Sequence, residues 1–283
     1  VGWSVFWIGL SLGFNVWIYL HFGADPGLEF LTGYLVEKAL SVDNIFVFVI
    51  IFRYFAVPGE FQHRVLFWGV VGAIVLRAIF IALGTALLAR FHWILLVFGA
   101  FLVFTGFRIL RHDDVEVHPE RNPVVRFFRR LVPITSDFRG HRFFTRVEGH
   151  RFATPLMVVL VMIEATDVVF AVDSIPAIFG VTTDPYLVFT SNIMAVLGLR
   201  ALYFVLAGVM HRFRYLSYGL GLVLVFIGVK MLASDLVHVP TAVSLGVVFL
   251  LLAGSVVISW LRPPRPTPTE GVEPTPGGPP GSP

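Results

Sequence analysis

The chain is apolar for eighteen residues or more at a time along most of its length, and short polar turns separate the runs. An apolar run of that length is enough for a helix to cross the hydrocarbon core of a bilayer. The pattern predicts eight helices, over about 3–20, 30–55, 65–89, 92–110, 155–180, 186–209, 214–233 and 241–261. A transmembrane barrel would instead show segments of about ten residues alternating in polarity. The expected fold class is therefore all-α, a polytopic transmembrane helical bundle.

Composition sharpens this reading. The chain is 57% hydrophobic and 14% charged, whereas soluble domains carry charge on about a quarter of their residues. It has no cysteine, which removes disulfides, thiolate metal sites and thiol redox chemistry from its own side chains. A bound metal would meet oxygen or imidazole, a preference of hard cations such as Mn²⁺, Mg²⁺ or Ca²⁺. The pI near 9.4 points to no nucleic-acid partner, because the basic residues sit in loops between spans. No catalytic Ser/His/Asp set, nucleotide loop or HExxH pattern is visible, so an enzyme is not expected.

The distribution of those basic residues sets an expected orientation. The linker 111–152 carries Arg121, Arg126, Arg129, Arg130, Arg139, Arg142, Arg146 and Arg151. Arg53, Arg64, Arg212, Arg214, Arg262 and Arg265 fall on the same side. The other side has Asp25, Glu29, Asp184 and Asp235, with Arg90 as its main cation. The positive-inside rule places the linker and the C-terminus in the cytoplasm. Residues 262–283 read as a disordered Pro/Gly-rich tail.

The chain also repeats itself. "EKALSVDNIF" (37–46) aligns with "DVVFAVDSIP" (167–176), matching Glu37 to Asp167 and Asp43 to Asp173. "VLRAIFIALG" (75–84) aligns with "GLRALYFVLA" (198–207), matching Arg77 to Arg200. Residues 89–110 align with 211–232, matching Gly99 to Gly221, Gly106 to Gly228 and Arg108 to Lys230. The offsets of 130, 123 and 122 differ only by loop lengths. Each repeat holds three helices, an odd number, so the second is expected to be inverted relative to the first, the architecture of many secondary transporters. The expected organisation is an N-terminal span in 1–22, a first three-helix repeat in 30–110, a basic cytoplasmic linker in 111–152, a second repeat in 153–233, a last span in 241–261 and the tail in 262–283.

Five carboxylates fall within these spans: Glu37, Asp43, Glu164, Asp167 and Asp173. Lys38, Arg77 and Arg200 accompany them as charge partners, leaving a net charge that one divalent cation would neutralise. A charge at the centre of a spanning helix costs about 2.5–3.5 kcal/mol on insertion scales, so such groups are paired, solvated or ion-bound. At about 100° per residue, Asp43 lies some 120° around its helix from Glu37, and Asp173 stands likewise to Asp167. Local unwinding, with Pro176 freeing the carbonyl of Val172, would let both acids of each helix share a site. Asn44 and Ser174 add neutral oxygen donors, giving an all-oxygen set suited to a hard divalent cation. The plainer reading pairs Asp43 and Asp173 with Arg77 and Arg200 as structural ion pairs. Asn192 is an optional ligand or an interhelical hydrogen bond. Lys38 is either a tethered counter-ion or, as favoured here, a side chain that snorkels to the interface. The histidines have no zinc-site spacing.

With those residues identified, the chain resembles the TerC family of bacterial membrane proteins, and within it the Alx-like members. "LTGYLVEKALSVDNIFVF" (31–48) and "ATPLMVVLVMIEATDVVFAVDSIPAIFGVTTDP" (153–185) are similar to the two family signatures. "GAIVLRAIF" (72–80), "TSNIMAVLGLRALYF" (190–204) and "LVFIGVKML" (224–232) match as well. The resemblance implies a multi-pass protein of the bacterial cytoplasmic membrane, with one further N-terminal helix before the eight read here. It also implies metal-ion transport, Mn²⁺ export above all, and a link to tellurite or alkaline stress resistance. Glu37, Asp43, Glu164, Asp167 and Asp173 are the matching acidic positions. Tellurite is an anion, so an acidic intramembrane site would not carry it. The expected function is a secondary transporter with Mn²⁺ as substrate and no tightly bound cofactor. The rival is a membrane scaffold of a stress or metalation complex, with the acids as a structural ion site and soluble protein partners.

Overall fold

The computed structural model describes residues 2–91, 93–111, 123–135, 137–147, 149–208, 215–234, 236–237 and 239–261. The expected tail at 262–283 lies outside them, as do Arg121, Arg212, Arg214 and Asp235. The eight expected helices are all present: α1 (Gly2–Phe22), α2 (Ala24–Tyr54), α3 (Gly59–Arg90), α4 (Ile94–Arg111), then, after the linker, α6 (Pro155–Phe179), a sixth span in two pieces, α7 (Pro185–Leu197) and α8 (Leu199–Leu206), and finally α9 (Leu216–Leu232) and α10 (Thr241–Leu261).

Local sequence explains where several of them start. Pro155 follows Thr154 at the first turn of α6, where a missing N–H costs nothing. Asp184 caps α7, its Oδ1 accepting from the backbone N–H of Tyr186 at 2.8 Å and of Leu187 at 3.3 Å. The helices α1, α3, α4, α6 and α10 are long and apolar enough to cross a membrane, and α7 with α8 makes a sixth such span bent by 41°. The remaining two long helices fall short for plain reasons: α2 carries too many charges, and α9 has 17 residues.

Two expectations about helix shape are corrected. Neither α2 at Asp43 nor α6 at Asp173 unwinds; both are continuous α-helix. Pro176 stands within the last turn of α6, where few backbone bonds remain to be lost. The break lies instead in the sixth span at Gly198, whose N–H bonds back to the carbonyl of Val196.

The linker has structure of its own. Helix α5 (Pro123–Leu131) is followed by a hairpin of β1 (Phe144–Val147) and β2 (His150–Ala153), antiparallel with Phe144 opposite Ala153. Gly149 turns it with φ 84°. Thr154 anchors the segment by donating to the carbonyls of Arg142 (2.7 Å) and Phe143 (3.2 Å). Val125, Ile134, Phe138 and Phe143 then pack against a buried cluster at the ends of α2, α3 and α6 that includes Phe61 and Leu156. Strands of four residues are too short to register as an alternating pattern in the sequence.

Within the bundle, α4 packs on α9, α2 on α7, α3 on α6, and α2 on α6. The α4–α9 contact is the closest. A Cβ on Gly99 would lie 3.0 Å from the carbonyl oxygen of Gly228, and one on Gly106 2.7 Å from that of Gly221. Helices approach this closely only where side chains are absent. Since 99 meets 228 while 106 meets 221, the two helices run antiparallel. Helices α1 and α10 flank the bundle with mostly exposed apolar side chains; α10 buries little beyond Ser244, Val248, Ser255 and Ser259.

Candidate functional site

Four helices bring one polar cluster to the middle of the bundle. Glu37 comes from α2, Arg77 from α3, Asp167 from α6 and Asn192 from α7, and none is more than 2% exposed. The Arg77 guanidinium is bonded through Nη1 to Glu37. On its other edge it grips Asp167 side-on, Nη2 to Oδ1 at 3.2 Å and Nε to Oδ2 at 3.4 Å. Nη1 also donates to Asn192 Oδ1 at 3.1 Å, and Asn192 Nδ2 donates to Glu37 Oε2 at 3.1 Å. The quartet closes on itself: one guanidinium serves two carboxylates, and one amide bridges cation and anion. A buried charge is tolerable when its partners are this complete.

Around the quartet lie buried oxygens with no partner. Ser41 and Asn44 sit one and two turns beyond Glu37, on the same face of α2. The hydroxyl of Ser41 and both polar atoms of Asn44 are buried and without a hydrogen bond. On α6 the matching face holds Asp167, Ala171 and Ser174. The Ser174 hydroxyl faces Glu37 without completing a hydrogen bond. Glu164, one turn before Asp167, packs against α3 at Gly72, where any side chain would collide with the carboxylate. Its Oε2 is buried and unpartnered.

Asp43 and Asp173 go elsewhere, as the helical rotation requires once the helices stay intact. Asp43 turns toward α9 and accepts from Ser217 Oγ at 3.3 Å. Asp173 turns toward α4, where Thr105 and Arg108 are its neighbours. The plainer alternative, pairing Asp43 with Arg77 and Asp173 with Arg200, does not occur. Arg200 is exposed; its guanidinium stands 6.0 Å over the Phe67 ring and lines a cavity of about 540 Å³ with Trp3, Trp7 and His63. Among the described residues, no three His, Asp or Glu side chains are grouped closely enough to hold a metal ion.

Lys38 is a further correction. It does not snorkel: Nζ donates to the carbonyl oxygen of Ala195 at 3.1 Å, with the Tyr34 ring 5.9 Å away. Sequence reasoning also passed over Ser41, Thr105 and Ser217. Ser41 had a signal, the 37/41/44 spacing of one helix face; the other two had none, because each touches its acid across a helix pair distant in sequence.

The fold and this buried cluster define an integral membrane protein of many spans, with a charged, fully buried core. The TerC integral membrane protein family model matches residues 22–266, and the chain belongs to that family. It is 53% identical over 270 residues to the Escherichia coli K12 protein named "Putative membrane-bound redox modulator Alx", covering 92% of this chain and 84% of that one. It is 52% identical over 262 residues to the Myxococcus xanthus "Uncharacterized membrane protein STKORF319", covering 93% and 82%. A Rickettsia felis "Uncharacterized membrane protein" is 41% identical over 259 residues, covering 92% and 86%. No solved structure matches the chain.

Proposed function

We propose that this protein is a secondary transporter of the bacterial cytoplasmic membrane that exports a divalent cation, Mn²⁺ in the first place, with its linker and C-terminus in the cytoplasm. One observation carries the reading: carboxylates from matching positions of the two repeats, Glu37 and Asp167, converge on a single cation at the bundle centre. The unpartnered oxygens of Ser41, Asn44, Ser174 and Glu164 on the same faces are the neutral and anionic donors that a hard cation takes. In the arrangement described, Arg77 is the cation those acids hold. A metal ion would compete with it for Glu37 and Asp167.

The remaining acids extend the pathway. Helix α2 runs toward the linker side and α6 away from it. A rise of about 1.5 Å per residue therefore sets Asp43 about 9 Å to the linker side of Glu37, and Asp173 about 9 Å to the opposite side of Asp167. Carboxylates at three levels form a ladder through the bundle, each step within reach of a moving cation.

An inverted repeat supports alternating access. Under the alignment, α2 corresponds to α6, α3 to α7–α8 and α4 to α9. The contact of α2 with α7 then has its counterpart in α6 with α3, and the contact of Gly99 with Gly228 has its counterpart in Gly221 with Gly106. Antiparallel partners related in this way are what an axis lying in the membrane plane would produce, as in transporters that rock one repeat against the other. The redox wording in the names of the relatives is compatible with transport of a redox-active metal; the thiol route is closed to a chain without cysteine.

The test is ⁵⁴Mn²⁺ flux in proteoliposomes containing the purified protein. Flux above that of empty liposomes, lost in Asp43→Asn/Asp173→Asn, is expected. Tight Mn²⁺ binding with no flux would favour the scaffold.

A further inference from the structure

The two arginines that the repeat makes equivalent are in opposite situations. Arg77 is 1% exposed and holds both Glu37 and Asp167. Arg200 is exposed and bonds neither. Symmetry makes this more than a difference of environment. Exchanging the repeats turns Arg77 into Arg200, and it turns Glu37 into Asp167 and Asp167 into Glu37. The acid pair is therefore the same for both arginines, and only one guanidinium fits between the two carboxylates at a time.

The helices that carry the two arginines differ in the corresponding way. Helix α3 runs unbroken through Arg77. Its counterpart breaks at Gly198, two residues before Arg200, with a bend of 41°, and Val75 of α3 occupies the matching position. Lys38 accounts for the asymmetry. Its ammonium bonds the Ala195 carbonyl near the end of α7, and a Cβ on Gly198 would come within 2.6 Å of Nζ. A cation at the C-terminal end of a helix is favoured by the exposed carbonyls, so Lys38 stabilises the break. The second repeat has the apolar Val168 where the first has Lys38.

We propose that Arg77 and Arg200 alternate as the internal counter-cation of Glu37 and Asp167, each holding the acids in one of two inversely related conformations. In the conformation seen, Arg77 is in and Arg200 waits beside a cavity of about 540 Å³. In the other, Lys38 leaves Ala195, α7 and α8 straighten, and Arg200 takes the acids while Arg77 withdraws. Substrate passes during the exchange, when neither guanidinium occupies the site. Arg200 is thus a positioning residue whose part is invisible in this conformation. The proposal rests on the transport reading and the inverted repeat, but its first test needs no transport.

These 283 residues include no cysteine, so Ala201→Cys, in the wall of the cavity beside Arg200, places a single thiol there. Its rate of reaction with N-ethylmaleimide is measured in proteoliposomes. Adding Arg77→Gln leaves two buried acids without their cation, and the population moves to the Arg200-in conformation. The thiol rate then changes about tenfold or more, as a shift between majority conformers requires. Arg77→Gln/Arg200→Gln returns the rate to that of Ala201→Cys alone. An unchanged rate in folded Arg77→Gln protein overturns the proposal, as does an equal change in the double variant. Should Arg77→Gln not fold, Arg200→Gln decides. Its Mn²⁺ flux falls about tenfold at saturation with half-saturation unchanged, the pattern of a lost step rather than lost binding, and Arg200→Lys restores it. Normal flux in Arg200→Gln overturns the exchange. Absence of flux in the unmodified protein would instead sink the transport reading and leave the thiol result standing.

Discussion

The ammonium of Lys38 and the carbonyl oxygen of Ala195 meet at 3.1 Å, three residues before the break in the sixth span at Gly198. A lysine next to a buried glutamate was expected to reach for the interface, and it reaches inward to a helix end instead. A half-buried ammonium gains from an acceptor at a helix end, so the bond and the break support each other.

That relationship makes the first prediction. Gly198→Ala puts a Cβ where the Lys38 ammonium stands, and the ammonium must leave the Ala195 carbonyl. The displaced atom is the far end of a flexible side chain, so the expected loss is that of the hydrogen bond, about 0.5–1.5 kcal/mol, in denaturant unfolding of the detergent-solubilised protein. Lys38→Met/Gly198→Ala should lose less than the sum of the single variants, because the clash disappears with the ammonium. Additive losses would mean that the contact is incidental.

The acids should divide into two classes. Asp167→Asn strips Arg77 of a buried partner and should cost about 3–5 kcal/mol, the range for breaking a buried pair. Asp43→Asn and Asp173→Asn break no ion pair seen within the bundle and should cost about 1 kcal/mol or less, while still abolishing Mn²⁺ flux. Thermal melting and flux measured on the same preparations separate the classes.

The contact between α4 and α9 permits a controlled comparison. Gly106→Ala brings a methyl to 2.7 Å from the carbonyl of Gly221 and should destabilise the protein by about 1–3 kcal/mol. Gly246→Ala, on α10 with nothing within 4 Å, should be neutral or slightly stabilising, since alanine is the better helix former. Equal melting temperatures for the two variants would contradict the close approach.

Thr154 holds the linker to the bundle through two carbonyls. Thr154→Val keeps its shape and removes both bonds. Faster tryptic cleavage at Arg142 or Arg146 is the expected result, with the bundle itself still resistant.

The duplicated fragments, the buried acids and the helical span of each segment were legible in the sequence because these are local properties. A helix in lipid satisfies its backbone within its own turns, so length and apolarity suffice to reveal it. The rotation between Glu37 and Asp43 was legible for the same reason, since helical geometry fixes it; what failed was the added supposition that Pro176 would unwind the helix. Near the end of α6 that proline disturbs little.

What the sequence by itself determined, then, is a helical-bundle membrane protein whose two halves each place an acid and an arginine at matching positions. Tertiary structure decided which of them meet. Arg77 and Arg200 lie in nearly the same local sequence, yet one is enclosed by two carboxylates and the other faces a cavity. Beside the break in the second arginine's span, a lysine on α2 bonds a carbonyl on α7, a contact spanning 157 residues of chain. The linker hairpin, the Ser217 contact of Asp43 and the unpartnered oxygens beside Glu37 depend in the same way on what packs opposite. Such pairings arise between helices far apart in sequence, and no periodicity within a single helix encodes its neighbour.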